Sequence, residues 1–319
     1  KYGYFALWDH VYPIRDFITW ADYQGAARLL RYLADYPHWQ SGVWETAQWI
    51  LTCNELLSFH DDPGLLEELW PRMMDFMDFS RNFIDPATGL AGAALNCAVD
   101  NPAELGLDGL FFAPCLNNWY YNACRAMENM ALRRGDTAVA DQFHQWSKEL
   151  ENSFVRCFFD PETGYLRAGI NAGRQLPRIN VFHNSATIGV DYPYGRYLLR
   201  QIVMPLAQYQ RNQLYHPGGH LAVAYDSELP CEMWKNVHMN QHLAHECKLS
   251  RLAGNAEEPL RIMRAAFRQI NRYCNAIETF NYYGCDGDVT QHSDWQAFAA
   301  TSVYHALFQG IGGLSWHRG

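Results

Sequence analysis

Apolar residues recur at every third or fourth position along nine long segments of this chain. That period is typical of α-helices that bury one face. Strand-like alternation of apolar and polar residues is almost absent. The sequence therefore predicts an all-α protein. We predict helices over residues 14–36, 43–60, 64–84, 115–134, 137–158, 195–212, 234–253, 256–277 and 294–309.

Short breaks between helices indicate that consecutive helices pair as antiparallel hairpins. Gly135-Asp136 and Gly254-Asn255 are two such breaks, and related Asp-Pro-x-Thr-Gly turns occur at 85–89 and 160–164. No Ser- or Pro-rich linker divides the chain, so we expect one domain over residues 1–319. A ring of six hairpins needs twelve helices. Nine predicted helices imply that some have weak signals or that an N-terminal part of the ring is absent.

The composition excludes several classes of partner. A formal net charge of −9 disfavours nucleic acid, whose phosphates select basic surfaces. No apolar run is long enough to cross a bilayer. Nine cysteines without a C-x-x-C pair are typical of free thiols in a reducing compartment, and we expect a cytoplasmic protein. The 11 Trp residues favour a flat-faced carbohydrate ligand, although plain packing also uses them.

Two carboxylates stand out by their local sequence. Asp108 lies in a glycine-bounded loop directly before a helix with an amide- and aromatic-rich start. Glu278 follows the predicted end of another helix, where the helix dipole disfavours an acid. Hydrolysis of a glycosidic bond requires one carboxyl to protonate the leaving oxygen and a second to activate water or attack carbon. An Asp in such a loop is also a common turn former or helix cap.

The sequence predicts no metal and no cofactor. Three histidines at helical spacing, with an adjacent glutamate, lack the H-E-x-x-H order of a zinc site. These residues are His238, His242, His245 and Glu246. Asp286-Gly-Asp288 lacks the remaining ligands of a calcium loop. Phosphate loops, nucleotide-binding fingerprints and nucleophile elbows are also absent from the sequence.

Four short motifs, in order along nearly the whole chain, resemble those of the six-hairpin glycosidases, which have an (α/α)6-toroid fold. The group that the chain resembles most contains trehalase and the family 63 glucosidases and mannosylglycerate hydrolases. The motifs are Leu7-Trp8-Asp9-His10, Gly106-Leu107-Asp108 with Asn117-Asn118-Trp119, Trp234-Lys235-Asn236-Val237-His238, and Glu278-Thr279-Phe280-Asn281 with Ser293-Asp294-Trp295.

The resemblance implies an inverting glycosidase that acts on a neutral sugar, which we expect to be α-linked. Asp108 would be the general acid and Glu278 the general base, roughly 6.5–9.5 Å apart to admit a water. The implied substrate-binding residues are Trp8, Asp9, Asn118, Trp119, Trp234, Asn236, His238 and Trp295. Core packing is an alternative role for Trp8, Trp234 and His238. Asp9 could equally cap the helix predicted to start near Ile14.

The motifs depart from the family pattern at Leu105, where the family has Ser, and at Cys231-Glu232-Met233, which replaces a Gly-Pro. Other carboxylates could therefore act. The alternative acids are Asp9, Asp100 and Glu104, and the alternative bases are Glu232, Glu246 and Asp294. A toroid epimerase or lyase with a His or Tyr base, or a non-catalytic carbohydrate-binding toroid, is the alternative function. Arg15, Asp16 and Glu45 could form structural ion pairs or bind sugar hydroxyls, and we interpret them as members of structural ion pairs.

Overall fold

A computed structural model describes most of the helical part of the chain and several of its connections. It covers residues 7–35, 43–92, 111–162, 165–166, 169–171, 174–176, 204, 207–212, 214–216, 219–220, 237–239, 243–273, 279–283, 288–291 and 302–313. Asp108, Glu278, Trp234, Asn236 and Trp295 lie outside these residues. The side chains of Trp8, Asp9 and His238 are also outside the description, although their backbone is within it.

Helices dominate the described residues. They are α1 (Leu7–Thr19), α2 (Tyr23–Ala34), α3 (Val43–Phe59), α4 (Pro63–Arg81), α5 (Pro114–Arg134), α6 (Thr137–Phe158), α7 (Leu243–Leu252) and α8 (Glu257–Tyr273). Residues 207–212 are also helical, and a helix over 302–305 continues as a π-helix, Ala306–Ile311. The predicted helices at 43–60, 64–84, 115–134, 137–158 and 256–277 are confirmed to within a few residues.

The prediction of one helix over 14–36 is wrong, because this stretch belongs to two helices. The first helix already begins at Leu7 and contains Pro13, so Asp9 does not cap a helix that starts near Ile14. The helical backbone is interrupted at Ala21, whose φ is +60°. Asp22 then caps the second helix, because its carboxylate accepts the Gly25 amide at 2.9 Å. A Cβ at residue 25 would lie 2.5 Å from the Asp22 carboxylate, so the close turn requires glycine there.

The first five helices form two layers. Helices α1, α3 and α5 contact one another in turn, and we call them the inner helices; α2 and α4 contact each other behind them. Arg133, in the last turn of α5, donates to the Leu57 carbonyl near the end of α3 at 3.0 Å, so these two helices are parallel. The Thr46 and Ser80 hydroxyls, 3.1 Å apart, join the start of α3 to the end of α4, which is antiparallel.

Helix α3 is buried on nearly every side, as its sequence predicts for the inner layer. Every residue from Glu45 to Leu57 is buried. Trp49, fully buried, donates to the Leu30 carbonyl of α2 at 3.2 Å and packs edge-to-face on Phe76 of α4 at 5.2 Å. Burial of this kind contributes about 25 cal/mol per Å² of apolar surface, so α3 anchors its neighbours through the hydrophobic effect.

Ten short strands lie in the described connections, where the sequence predicts almost none. They are β1 (Phe111–Phe112), β2 (Phe159–Asp160), β3 (Tyr165–Leu166), β4 (Gly169–Asn171), β5 (Arg174–Leu176), β6 (Tyr215–His216), β7 (Gly219–His220), β8 (Val237–Met239), β9 (Thr279–Tyr283) and β10 (Asp288–Gln291). They pair antiparallel in four small sheets, β1-β4-β5, β10-β9-β8, β2-β3 and β6-β7. Eight of the ten strands have only two or three residues, fewer than the roughly four that a detectable alternation needs.

The prediction of a helix over 234–253 is wrong in its first part. Residues 237–239 form strand β8, and the helix begins at Leu243. The backbone of β8 is paired with β9, whose residues lie about forty positions further along the chain. This non-local pairing overrides the local helical period.

The two Asp-Pro-x-Thr-Gly turns have the same role, as their recurrence predicts. The first follows α4 and closes a bridge between Ile84 and Ala91, and the second joins β2 to β3 after α6. In the first turn the Asp85 carboxylate accepts the Thr88 amide at 2.8 Å and its hydroxyl at 2.7 Å. These bonds lower the pKa of Asp85 below its ordinary value.

The later helices pack together and contact the first hairpin. The Ala244 amide of α7 donates to the Ser302 hydroxyl at 3.1 Å, and Arg251 donates to the Ile311 carbonyl at 2.9 Å. Helix α7 and the 302–311 segment are therefore parallel. Trp20, directly after α1, meets Tyr304 edge-to-face with ring centroids 6.0 Å apart. The last described helix thus lies beside both α7 and the end of α1.

Two further expectations can be compared with the described residues. Cys53, Cys124, Cys157 and Cys247 are all free thiols there, and three of them are buried. Burial raises the pKa of Cys124 to about 12 and that of Cys53 well above its ordinary value. Within the same residues, no helix is both long enough and apolar enough for a transmembrane span.

Candidate functional site

The N-terminal ends of the inner helices define one end of the helical layer. The start of α3 lies against the end of α4, and the chain that leaves α4 is hydrogen bonded to the start of α5. Several predicted site residues belong to this end. Trp8 and Asp9 lie in the first turn of α1, and Asn118 and Trp119 lie near the start of α5. Helix N-termini carry partial positive charge and free amide groups, which favour polar and anionic ligands.

The segment that contains Asp108 is fixed at both of its described ends near the start of α5. Before it, Ala91 exchanges two hydrogen bonds with the Asn117 side chain, at 2.7 and 3.0 Å. After it, strand β1 pairs with β4 and leads into α5 at Pro114. Asp108 itself lies outside the described residues, three positions before β1.

Strand β4 and its neighbour β5 bring a second loop beside the entry to α5. Phe111 is opposite Asn171, and Phe112 is opposite Ile170. The sequence between residues 159 and 193 contains several Gly and Asn residues, but it gives no sign that part of it pairs with strand β1. The pairing of β1 with β4 in the structure is what shows that these two parts of the chain are neighbours.

The segments that contain His238 and Glu278 are adjacent in space. Strand β8 pairs with β9, with His238 opposite Phe280 and Met239 opposite Thr279. Glu278 lies outside the described residues, but it directly precedes Thr279 in the chain. The structure therefore joins two of the four motifs through a backbone ladder that the sequence does not predict.

The same strand contradicts the helical arrangement of histidines. Trp234 and His238 do not share a helix face, because His238 lies in β8. His238, His242 and His245 consequently do not lie on one helix. Within the described residues no group of three or more His, Cys, Asp or Glu side chains could hold a metal ion.

Two predicted substrate-binding residues have described side chains, and both belong to α5. Asn118 is fully buried, and its Oδ1 accepts the Asn122 side-chain amide at 3.1 Å. Trp119 is half-buried and packs against the main hydrophobic core. Their roles in substrate binding stay predictions.

Among the buried polar residues in the first two turns of α3 are Glu45, which the sequence offers as an ion-pair or hydroxyl-binding residue, and Gln48, which it does not single out. Glu45 is buried, and desolvation raises its pKa to about 7. Gln48, one turn later, is 5% exposed, and neither atom of its side-chain amide has a hydrogen-bond partner among the described residues. Glu45 and Gln48 are two of several polar residues in α3, so the local sequence alone does not single out Gln48.

Arg15 forms the structural ion pair that the sequence predicts. Its Nε donates to the Glu55 carboxylate at 2.6 Å and its second nitrogen at 3.2 Å, and both side chains are buried. The pair joins α1 to α3. Glu246, an alternative base, is fully buried in the first turn of α7.

No protein-family model matches the sequence, and no curated protein matches it either. Solved structures do match. The family 63 mannosylglycerate hydrolase from Thermus thermophilus, in complex with glucose, superposes with a TM-score of 0.65 at 15% identity, over 95% of this chain and 92% of that chain.

Two rhamnosidases are also similar. The family 78 enzyme of Bacillus sp. GL1 matches with a TM-score of 0.60 at 17% identity over 85% of this chain. The enzyme from Klebsiella oxytoca, with rhamnose bound, matches with a TM-score of 0.55 at 13% identity over 86% of this chain. This chain spans 26% of the first enzyme and 47% of the second. The chain thus has the (α/α)6-toroid fold of six-hairpin glycosidases, as its motifs predict.

Proposed function

We propose that this protein is an inverting glycoside hydrolase that acts on a neutral, α-linked sugar, with Asp108 as general acid and Glu278 as general base. The observation that supports the proposal most is the pairing of Val237–Met239 in β8 with residues 279–281 in β9, since these residues belong to or adjoin two of the four motifs. Four motifs in the family order, on a glycosidase-like toroid, favour the same function. The similar structures include enzymes in complex with glucose and rhamnose.

The proposed chemistry assigns one role to each carboxylate. Asp108 donates its proton to the glycosidic oxygen as the bond to the anomeric carbon breaks, and Glu278 removes a proton from the attacking water. An acid that must be protonated near neutral pH needs a raised pKa, which apolar surroundings provide. Leu107 and the phenylalanines of β1 are the neighbouring residues in the chain that could supply such surroundings.

The proposal is tested by hydrolysis of a panel of α- and β-linked disaccharides and aryl glycosides. Asp108→Asn and Glu278→Gln should each reduce kcat at least about a hundredfold, as loss of a general acid or base does. Asp100→Asn and Glu232→Gln are matched controls in the segments of the Asp108 and Trp234 motifs, and they should retain activity. Activity that survives both primary changes but is lost in a control would move the catalytic role to that carboxylate.

A histidine-based mechanism is the second candidate, because His238 lies opposite Phe280 in the same sheet. A toroid epimerase or lyase would use such a base to remove a carbon-bound proton. It predicts that His238→Ala abolishes activity while Glu278→Gln does not. The opposite result favours the glycosidase.

A further inference from the structure

Two buried amide side chains in the inner helices have hydrogen-bonding atoms without a partner among the described residues. Gln48 of α3 lacks such a partner for both its Nε2 and its Oε1 atoms. Asn122 of α5 is fully buried; its Nδ2 donates to Asn118, but its Oδ1 accepts nothing from the described part of the chain. A buried amide without partners carries the whole cost of its desolvation. Most buried polar atoms in folded proteins are bonded to protein groups or to ordered water, so each exception calls for an explanation.

The register of α1 and α3 locates Gln48 along the inner layer. Arg15 and Glu55 are in direct contact between these two helices, and Tyr23, shortly after α1, stacks on His60, directly after α3, so the two helices are parallel. Two helical turns before Arg15 in α1 is residue 8, and two turns before Glu55 in α3 is residue 48. Each step of seven residues moves about 10.5 Å toward the N-terminus of its helix. Gln48 is therefore level with the first turn of α1, where the Trp8-Asp9 motif lies.

The contacts between α3 and α5 show that Asn122 lies at the same height along the helix layer as Gln48. Asn129 donates to the Asn54 side chain at 3.0 Å, which fixes the two helices against each other. Seven residues earlier the corresponding positions are Ala47 and Asn122. Since Ala47 is next to Gln48, both amides without full partners occupy one level of the layer, on neighbouring helices.

Glu45 lies nearly one turn closer to the N-terminus of α3 than Gln48 does. It lies three residues before Gln48, so the two side chains share a face of α3. It is 6% exposed, and desolvation raises its pKa to about 7. A carboxyl with such a pKa is partly protonated near neutral pH, and it can then both donate and accept hydrogen bonds.

We infer that Glu45, Gln48 and Asn122 form the floor of a sugar subsite and bind hydroxyl groups of the substrate, an assignment that rests on the proposed glycosidase function. Hydroxyls match this set because they donate and accept, as amides do. The three side chains include no cation, so a phosphate or carboxylate group would find no counter-charge among them. They also lie at the end of the layer to which Trp8, Asp9 and Asn118 belong.

The test compares sugar binding with stability in two matched variants. Gln48→Met removes an amide without partners in the described structure, and Asn54→Leu removes an amide on the same helix whose partner is Asn129. Affinity for D-glucose, L-rhamnose and the methyl α-glycosides is measured by ligand-observed NMR, and the melting temperature by calorimetry. Gln48→Met should keep or raise the melting temperature and weaken binding about tenfold or more. Asn54→Leu should lower the melting temperature and leave the affinity unchanged.

The outcomes separate this assignment from the proposed function. If the wild type binds and hydrolyses glycosides while Gln48→Met, Asn122→Ala and Glu45→Gln all retain affinity, the three residues do not bind the sugar and the assignment is overturned. If the wild type neither binds nor hydrolyses any sugar of the panel, the proposed function fails and the assignment fails with it. Weaker binding in Gln48→Met at unchanged stability supports the assignment.

Discussion

The Glu45 carboxyl lies in the first turn of an inner helix, where two physical effects oppose each other. The helix dipole favours the charged form at this position. Burial disfavours it, because a charge loses its hydration. Burial prevails and raises the pKa to about 7, from an ordinary value of 4.5. The residue therefore costs stability at neutral pH.

This cost predicts how stability depends on pH. Below about pH 4.5 the Glu45 carboxyl is protonated in both the folded and the unfolded chain. Between about pH 4.5 and 7 the unfolded chain releases the proton while the folded chain keeps it, so the free energy of unfolding falls by up to about 3 kcal/mol. Glu45→Gln should remove this loss.

Denaturant unfolding of the wild type and Glu45→Gln at pH 4.5 and pH 8 measures the effect. The variant should gain stability relative to the wild type at pH 8 and gain much less at pH 4.5. Glu68→Gln is a suitable control, because Glu68 is half exposed and paired with Arg31. Equal differences between wild type and Glu45→Gln at both pH values would contradict the raised pKa.

At the scale of elements, polar contacts set how the inner helices lie against one another. The buried Arg15–Glu55 pair joins α1 to α3, and the Asn54–Asn129 pair joins α3 to α5. Apolar packing alone allows helices to slide, whereas buried polar pairs accept only one register. Both contacts lie in the C-terminal halves of these helices, away from the helix starts that belong to the candidate site.

Removal of one partner of the buried ion pair should be strongly destabilising. Arg15→Met leaves the Glu55 carboxylate buried without its cation and should cost about 3–5 kcal/mol. The double variant Arg15→Met/Glu55→Met removes both charges and should recover most of that loss. Chemical denaturation of the three proteins measures the difference. A double variant less stable than Arg15→Met would contradict this account of the pair.

At the scale of the whole molecule, local signals predicted most helices, and a non-local strand pairing accounts for the error at residues 237–239. Gly135-Asp136 ends one helix and starts the next, because Gly135 has a φ of +77° and Asp136 caps α6 at Val139. Such chemistry is readable in the sequence. Strand β8 is not, because its partner β9 lies about forty residues away.

In the candidate site, too, local sequence predicted some features, whereas others depend on contacts between distant parts of the chain. The motif order predicted which segments belong to it, since each motif has a characteristic local composition. The buried amide of Gln48 was missed, because its lack of partners in the described structure depends on which helices surround α3. A helical period specifies which residues are inside a protein, but it does not specify what each buried polar atom contacts.

The anomeric configuration of the first product tests the central claim most directly. Proton NMR can follow hydrolysis of the most active glycoside of the panel from its first minutes, before mutarotation mixes the anomers. An inverting enzyme whose two carboxylates stand roughly 6.5–9.5 Å apart must release the β-anomer from an α-glycoside. Release of the α-anomer would mean retention through a covalent intermediate, and it would contradict the assignment of Asp108 as acid and Glu278 as base of an inverting reaction.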